Sequence, residues 1–337
     1  MNYGLPYIGS KNRIAKKILD ILPAAPVLYD VFCGGCAITH TAMLSGKYSR
    51  VVANDINGMI PHAFEKALRG GFRNEDRWIS RDDFQKLYKT DPYVAICFSF
   101  GNDLHQYCYA RELEPYKRAL HYAIFWKDTG PWRELCPETA DALKKAVESE
   151  QDRHKRRIGA GRAIVTALKA GLMNGTIDPA VMDKPIYKKI RGKYPRVYPQ
   201  SGWLAERMQS LETLQTDESL CRLQSLETLE RTTDVDVPPV LTVTTGDYRA
   251  LNFDRPGIIY CDPPYKGTEE RYGRGFDFEA FYSWCEHQAN PVFISEYTMP
   301  EDRFVPVAAF TVTRKRSAQK SSICHEKIWR PRCQLGI

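Results

Sequence analysis

The chain has 337 residues, enough to bury a full core, and its 48 Lys plus Arg against 41 Asp plus Glu leave a net charge of +7, a mild basic bias that suits an anionic partner. The N-terminal MNYGLPYIGSKNRIAKK holds no apolar run of signal-peptide length, and no later stretch is long enough without charge to cross a bilayer; a cytoplasmic protein with no membrane association is expected. The ten cysteines lie singly apart from Cys33-Gly-Gly-Cys36, so reduced thiols are expected, and no metal.

Residues 10–22 carry Ile14, Ile18, Leu19 and Leu22 at helical spacing among basic residues, and VLYDVF (27–32) reads as a buried strand. GGCAITHTAMLSG (34–46) resumes a helix and RVVAND (50–55) is a second strand. Strand, glycine turn, helix and strand make the βαβ unit of a parallel α/β sheet. From about residue 75 to 230 the pattern becomes helical and charged, with aromatics, as in RELEPYKRALHYAIFWKD (111–128) and PETADALKKAVESEQDRHKRR (137–157). Strand-like runs return at VLTVTTGDY (240–248) and GIIYCDPPY (257–265), followed by a helix at FEAFYSWCEH and a strand at PVFISEY (291–297). The expected architecture is α/β: residues 1–75 and 236–337 build one sheet, interrupted by a mostly helical, basic insertion over 76–235. The hexapeptide QSLETL occurs at 209–214 and again at 224–229, which reads as a duplicated piece of amphipathic helix with no chemistry of its own.

In an open parallel sheet the loops beyond the strands' carboxyl ends gather the ligand groups. Three stretches deliver polar groups to that edge: Asp30-Val-Phe32-Cys-Gly34-Gly35, Asn54-Asp55-Ile56-Asn57 and Asp262-Pro-Pro-Tyr265. Glycines after the first strand let backbone approach a ligand, and an acid ending the second strand suits the two hydroxyls of a ribose. The glycine turn lacks the G-x-G-x-x-G phosphate fingerprint and no Walker lysine motif is present. A nucleoside ligand without a pyrophosphate is favoured, and S-adenosylmethionine (SAM) is the candidate. In IYCDPPY the acid, the stiff backbone and the ring fit one task. The exocyclic amine of adenine or cytosine is a poor nucleophile, because its lone pair is delocalised into the ring. Hydrogen bonds from its two N–H groups to the Asp262 carboxylate and the Pro263 carbonyl localise that pair; Pro263 and Pro264 fix φ, and Tyr265 offers a ring for the base to stack on. The bland alternative is an ordinary strand-ending turn.

With these motifs in this order, the chain resembles the Dam-like family of SAM-dependent DNA adenine methyltransferases found in bacteria and their phages. Tyr7-Ile-Gly9-Ser-Lys11 resembles the family's aromatic-x-Gly-Gly-Lys motif, with Ser10 in place of the second glycine, and implies that Tyr7, Gly9 and Lys11 line the cofactor and substrate site. Asp30-Val-Phe32-Cys-Gly34-Gly35 is similar to D-x-F-x-G-x-G, implying contacts from Asp30, Phe32 and Gly34 to the methionine part of SAM. Asp55 matches the ribose-binding acid, Asp247 in Gly246-Asp247-Tyr248 lies in the segment near the cofactor adenine, and Ser295-Glu296-Tyr297 resembles a later strand motif. Asp262-Pro263-Pro264-Tyr265 is similar to the catalytic tetrapeptide, with Asp262 also beside the cofactor. Its leading Asp, where Ser suits cytosine enzymes, implies adenine. The resemblance covers residues 3–70 and 240–300 and implies a Rossmann-like methyltransferase sheet. At Cys36, where the glycine motif ends in Gly, a side chain narrows the room beside the cofactor; the retained Gly34 and Gly35 lead us to expect that it is tolerated.

The implied reaction is methyl transfer from SAM to the N6 amine of adenine in duplex DNA, by a monomer without a metal. A duplex substrate requires the base to be flipped out, at a few kcal/mol. Tyr272 and Phe276 either wall that pocket or staple the helix that follows. Lys184, Lys188, Lys189, Arg191, Lys193 and Arg196 stand in KPIYKKIRGKYPRVYP without an acid among them, which reads as a DNA-phosphate contact; RKRSAQK (314–320) is a second candidate. Two rivals stay open: a methyltransferase for RNA or another planar amine, and a non-catalytic DNA-binding protein that keeps the fold.

Overall fold

The computed structural model describes residues 3–187, 239–265, 275–317 and 320–336, with side chains for all of these but Asn102 and 312–324. The described residues fall into two compact units, one of residues 3–73 with 239–336 and one of residues 74–187.

The first unit opens with helix α1, Ala15–Ile21, which buries Ala15, Ile18 and Leu19; the expected helix loses its first turn, because residues 11–14 form separate turns. Strand β1, Val27–Asp30, is buried at every residue. Helix α2, Ala37–Met43, leads to strand β2, Arg50–Asp55. Helix α3, Met59–Leu68, follows and buries Ile60, Ala63, Phe64 and Ala67 on one face.

The second unit holds helices α4 (Arg81–Leu87), α5 (Pro92–Phe98), α6 (Glu114–Trp126), α7 (Gly130–Leu135), α8 (Pro137–Glu148) and α9 (Arg153–Met173). The charged segment 137–157 is divided between two helices, because Asp152 accepts a hydrogen bond from the Lys155 N–H and starts α9 afresh. Its core gathers Trp132, Leu143, Val147, Ile164, Leu168 and Tyr187. Arg156 is buried there, donating to the carbonyls of Ile124, Glu150 and Gln151, so the ends of two preceding segments are satisfied by one guanidinium.

The chain then returns to the sheet with β3 (Val240–Thr245), β4 (Gly257–Cys261), helix α10 (Phe278–Glu286), β5 (Val292–Glu296) and a final hairpin of β6 (Phe304–Ser317) and β7 (Lys320–Pro331). The sheet order is β3-β2-β1-β4-β5-β7-β6. The first five strands run parallel, and β7 pairs antiparallel with β5. Continuous burial of β1, β4 and β5 is what a parallel sheet covered on both faces demands. The mixed α/β, mostly parallel sheet is consistent with the expected Rossmann-like fold. Two features lie outside the sequence reading: α3, and the antiparallel hairpin that completes the sheet.

Strand order reverses between β1 and β4. Chain progression from β1 runs outward through β2 and β3, and from β4 outward through β5 on the other side. Their carboxyl ends, at Asp30 and Cys261, therefore flank the switch point where α/β sheets open a crevice. No described helix is long and apolar enough to cross a membrane.

Candidate active site

Between β1 and α2 the backbone is held against the end of β2. Cys33 N–H donates to the Asn54 carbonyl at 2.9 Å, and Gly34 N–H to Asp55 Oδ2 at 2.9 Å. Asp55 Oδ1 accepts the Asn57 N–H at 2.9 Å, so each oxygen keeps a lone pair for a further donor. Burial raises the Asp55 pKa. Gly34 has φ +45, and a Cβ there would meet the Tyr7 ring at 3.1 Å; at Gly35 it would meet Tyr7 Cβ at 2.6 Å. The two glycines thus make room for Tyr7 to lie on the turn. Asn54, which the sequence reading did not single out, ties three strand ends together. Its amide donates to the carbonyls of Val31 and Gly246 and its oxygen accepts from the Thr244 hydroxyl.

Cys36 adopts the left-handed conformation, φ 60, at the start of α2. It thus has the backbone that the motif's glycine would supply, with a side chain that is fully buried. The thiol is turned towards Cys33 Sγ at 3.7 Å and the Gly34 carbonyl at 3.8 Å. Burial pushes both thiols above their ordinary pKa, which keeps them protonated and unreactive.

Asp30 is 1% exposed, and its Oδ2 accepts both the backbone N–H (3.0 Å) and the hydroxyl (2.6 Å) of Thr39. Expected beside the cofactor, it instead fastens the first turn of α2 from within. Burial lifts its pKa to about 7 against the pull of Thr39. Phe32, likewise expected beside the cofactor, lies in an aromatic cluster, 5.2 Å from Tyr248 and 5.7 Å from Phe281 between ring centres. Gly9 is exposed with φ 78. Asp247 accepts the Arg249 N–H and pairs with its guanidinium at 2.9 and 2.6 Å, which lowers its pKa.

At the end of β4 stands a buried charge cluster. Lys11 Nζ is 2.7 Å from Asp262 and 3.4 Å from Glu326. The Tyr265 hydroxyl donates to Glu326, and the Lys11 ammonium lies over the Tyr265 ring, 4.7 Å from its centre. Tyr297 meets that ring edge-on at 4.7 Å. Tyr265, expected to offer its ring to the base, is buried with that ring so engaged. Tyr260 and Ser295 share a hydroxyl hydrogen bond of 2.8 Å beneath the cluster. Burial, joined by the Glu326 charge, lifts the Asp262 pKa to about 6 in spite of Lys11. Burial also disfavours the Lys11 ammonium, but Asp262 and Glu326 outweigh it and hold its pKa above the ordinary value. Two carboxylates facing one ammonium leave an excess of negative charge. Such a site accepts hydrogen bonds and favours a cationic ligand.

Glu326 is the functional candidate that the sequence reading missed. It lies in a stretch, HEKIWR, that lacks the period-two alternation of a strand, and nothing in its spacing ties it to Asp262. Phe276 takes the staple position: Asp277 caps α10, and the Phe276 ring sits 5.4 Å from that of Phe281 in the first turns of that helix. Tyr272 lies outside the described residues. Of the six cations in the basic stretch only Lys184 is described, and its ammonium is matched by Glu138 at 2.7 Å and the Leu135 carbonyl at 2.8 Å. Lys188, Lys189, Arg191, Lys193 and Arg196 lie outside the described residues, as do both QSLETL copies. The RKRSAQK run falls at the closed end of the β6–β7 hairpin, where the side chains are not described. Among the described residues no group of three His, Cys, Asp or Glu is placed to hold a metal ion.

Residues 7–93 match the family model of the D12 class N6 adenine-specific DNA methyltransferases. The match spans the Tyr7–Lys11, Asp30–Gly35 and Asn54–Asn57 motifs, and it supports the Dam-like adenine methyltransferase family suggested by them. No curated protein matches the chain.

Proposed function

We propose that this chain is an adenine-specific DNA methyltransferase of the Dam-like family, as the match over residues 7–93 supports, that it takes its methyl group from SAM and that it receives its target adenine flipped out of the duplex. The observation that carries the reading is Asp262. It directly follows β4 at the sheet's switch point, on the same edge as the Gly34–Asp55 turn, and is held 2.7 Å from Lys11. SAM supplies an electrophilic methyl carbon on a positively charged sulfonium.

The residues present fit such a ligand. Gly34 keeps backbone close, Asp55 retains acceptors for a ribose, and Tyr7 stands on the turn. Excess negative charge at Asp262 and Glu326 suits a cation. Phe32, Asp30 and Asp247 act one step back: the ring as packing, Asp30 through α2, Asp247 through its own turn. Lys11 serves the charge cluster and lines the site beside Asp262.

Asp262 and the Pro263 carbonyl would take the two N–H groups of the adenine amine, localising its lone pair and aiming it. No strong base is needed, because the amine loses its proton only as it gains the methyl group. Pro263 and Pro264 hold the two acceptors at fixed φ. The base would stack on the Tyr265 ring by displacing the Lys11 ammonium from its face. The helical unit, with the basic loop of Lys188, Lys189, Arg191, Lys193 and Arg196 that follows its described part, would engage DNA phosphates. The inward-turned Cys36 thiol removes the main argument for a non-catalytic protein.

The deciding experiment offers duplex DNA, RNA and protein to the enzyme with methyl-labelled SAM, followed by sequencing of modified bases. Label on N6 of adenine in DNA is expected. Label confined to RNA or protein, or to cytosine, overturns the reading.

A further inference from the structure

We propose that Glu326 is a positioning residue for this reaction: it anchors the Tyr265 phenol and shares the Lys11 ammonium, so that the lysine's charge is not spent on Asp262 alone. The inference rests on the function proposed above for Asp262.

Strand direction explains how a residue so far along the chain reaches the site. Parallel strands point their carboxyl ends into the crevice, whereas β7 runs the other way. Its Lys327 pairs with Glu296, the last residue of β5. Glu326, one residue earlier, thus lies just past the carboxyl end of β5, on the crevice edge. A parallel strand would bring its loop there; the antiparallel one brings a side chain from its own body.

Glutamate is among the residues least often buried without a partner. Glu326 is 4% exposed, and both of its described side-chain partners belong to the site: the Tyr265 hydroxyl and Lys11 Nζ at 3.4 Å. The phenol bond fixes the ring that the target base is to meet, with Tyr297 edge-on against it. The ion pair acts on Asp262. Lys11 lies at 2.7 Å from Asp262 Oδ2 and at 3.4 Å from Glu326, so it is the ammonium's charge, more than its contact, that is shared. A second carboxylate divides the ammonium's attention and leaves Asp262 an acceptor.

The charged and titratable groups facing Asp262 are Lys11 from the segment before α1, Glu326 from β7, Tyr265 from its own loop, Tyr260 from β4 and Asp30 from β1. Among them Glu326 is the nearby like charge whose removal moves Asp262 in a known direction: the proton affinity of Asp262 falls.

The test compares the full-length enzyme with Glu326→Gln in two readouts. Carboxyl carbon-13 NMR follows the Asp262 titration directly, and kcat is measured from pH 5 to 8.5 on duplex DNA. Since Asp262 must be ionised to accept from the amine, activity rises with pH through its pKa. E326Q is expected to lower kcat on the order of tenfold. It should also move both the NMR titration and the acid limb to lower pH by about half a unit or more. An unmoved titration and acid limb, whatever happens to kcat, overturns the inference. If E326Q does not fold, Glu326→Asp keeps the charge and shortens the reach: its Asp262 titration should stay in place while kcat falls several-fold, and wild-type kcat there overturns the inference. Failure of wild-type enzyme to methylate DNA would instead refute the proposed function, leaving the NMR arm to judge Glu326 alone.

Discussion

Replacing Asp262 by Asn should make the protein inactive and more stable. The carboxyl is raised from 3.8 to about 6, first by burial and then by Glu326 against the opposing Lys11. At about 1.4 kcal/mol per pH unit, that difference amounts to about 3 kcal/mol by which the ionised group opposes folding at pH 7.5. A group whose folded pKa is raised contributes most to stability below its unfolded value, and the contribution is lost as pH rises through the folded one. The window here is therefore pH 4 to 6. The advantage of D262N over wild type is thus smaller at pH 5 and larger at pH 7.5, by roughly 1 kcal/mol. Asn preserves shape, its carbonyl can still accept from Lys11, and Glu326 at 3.4 Å remains as countercharge. Methyl transfer, in contrast, should fall about a thousandfold, because a neutral amide is a weaker acceptor for the amine. Chemical denaturation at the two pH values and a labelled-methyl assay measure both effects. The reasoning is refuted if D262N is less stable than wild type at pH 7.5, if the gap does not grow with pH, or if turnover stays within about tenfold.

Binding of SAM should release protons near pH 6, because a sulfonium cation favours the ionised form of Asp262, with its pKa of about 6; calorimetry at pH 6 in buffers of different ionisation enthalpy reads the number, and uptake would contradict the electrostatics. Cys36→Gly relieves a left-handed backbone worth about 1 kcal/mol and loses a buried sulfur of similar worth, so thermal stability and SAM affinity, within about threefold, should hold; a larger affinity change would place the thiol in the cofactor's way. Neutralising Lys188, Lys189 and Arg191 together should lower the slope of log affinity for DNA against log salt by about 2.7, and an unchanged slope removes that loop from the interface.

The parallel half of the sheet was legible because each strand carries its own signal. RVVAND and GIIYC are apolar runs bounded by turn residues, and the buried positions of β1, β4 and β5 follow directly. The acids that end them were legible too, since a strand's last residue is placed by the strand itself. Less could be read where tertiary pairing decides. The hairpin of β6 and β7 carries Pro306, a cluster of cations and only short alternation, so local pattern did not mark it as sheet, and Glu326 was lost with it. Asp30 shows the opposite limit: its position was clear, but its commitment to Thr39 depends on how α2 is seated. At Cys36 the residue type suggested crowding, and only the backbone, φ 60, shows the thiol turned inward.

The charge cluster joins residue 11 to residue 326 across strands β4, β5 and β7, a span that has implications for how the molecule matures. No contiguous fragment can assemble it, and an intermediate with β1 to β5 in place would hold Asp262 and Lys11 locked together without their third member. Competence for chemistry therefore requires β7 to be paired with β5. The titration of Asp262 doubles as a gauge of that pairing: a chain with β7 out of place would reveal itself by a carboxyl more acidic than that of the finished enzyme.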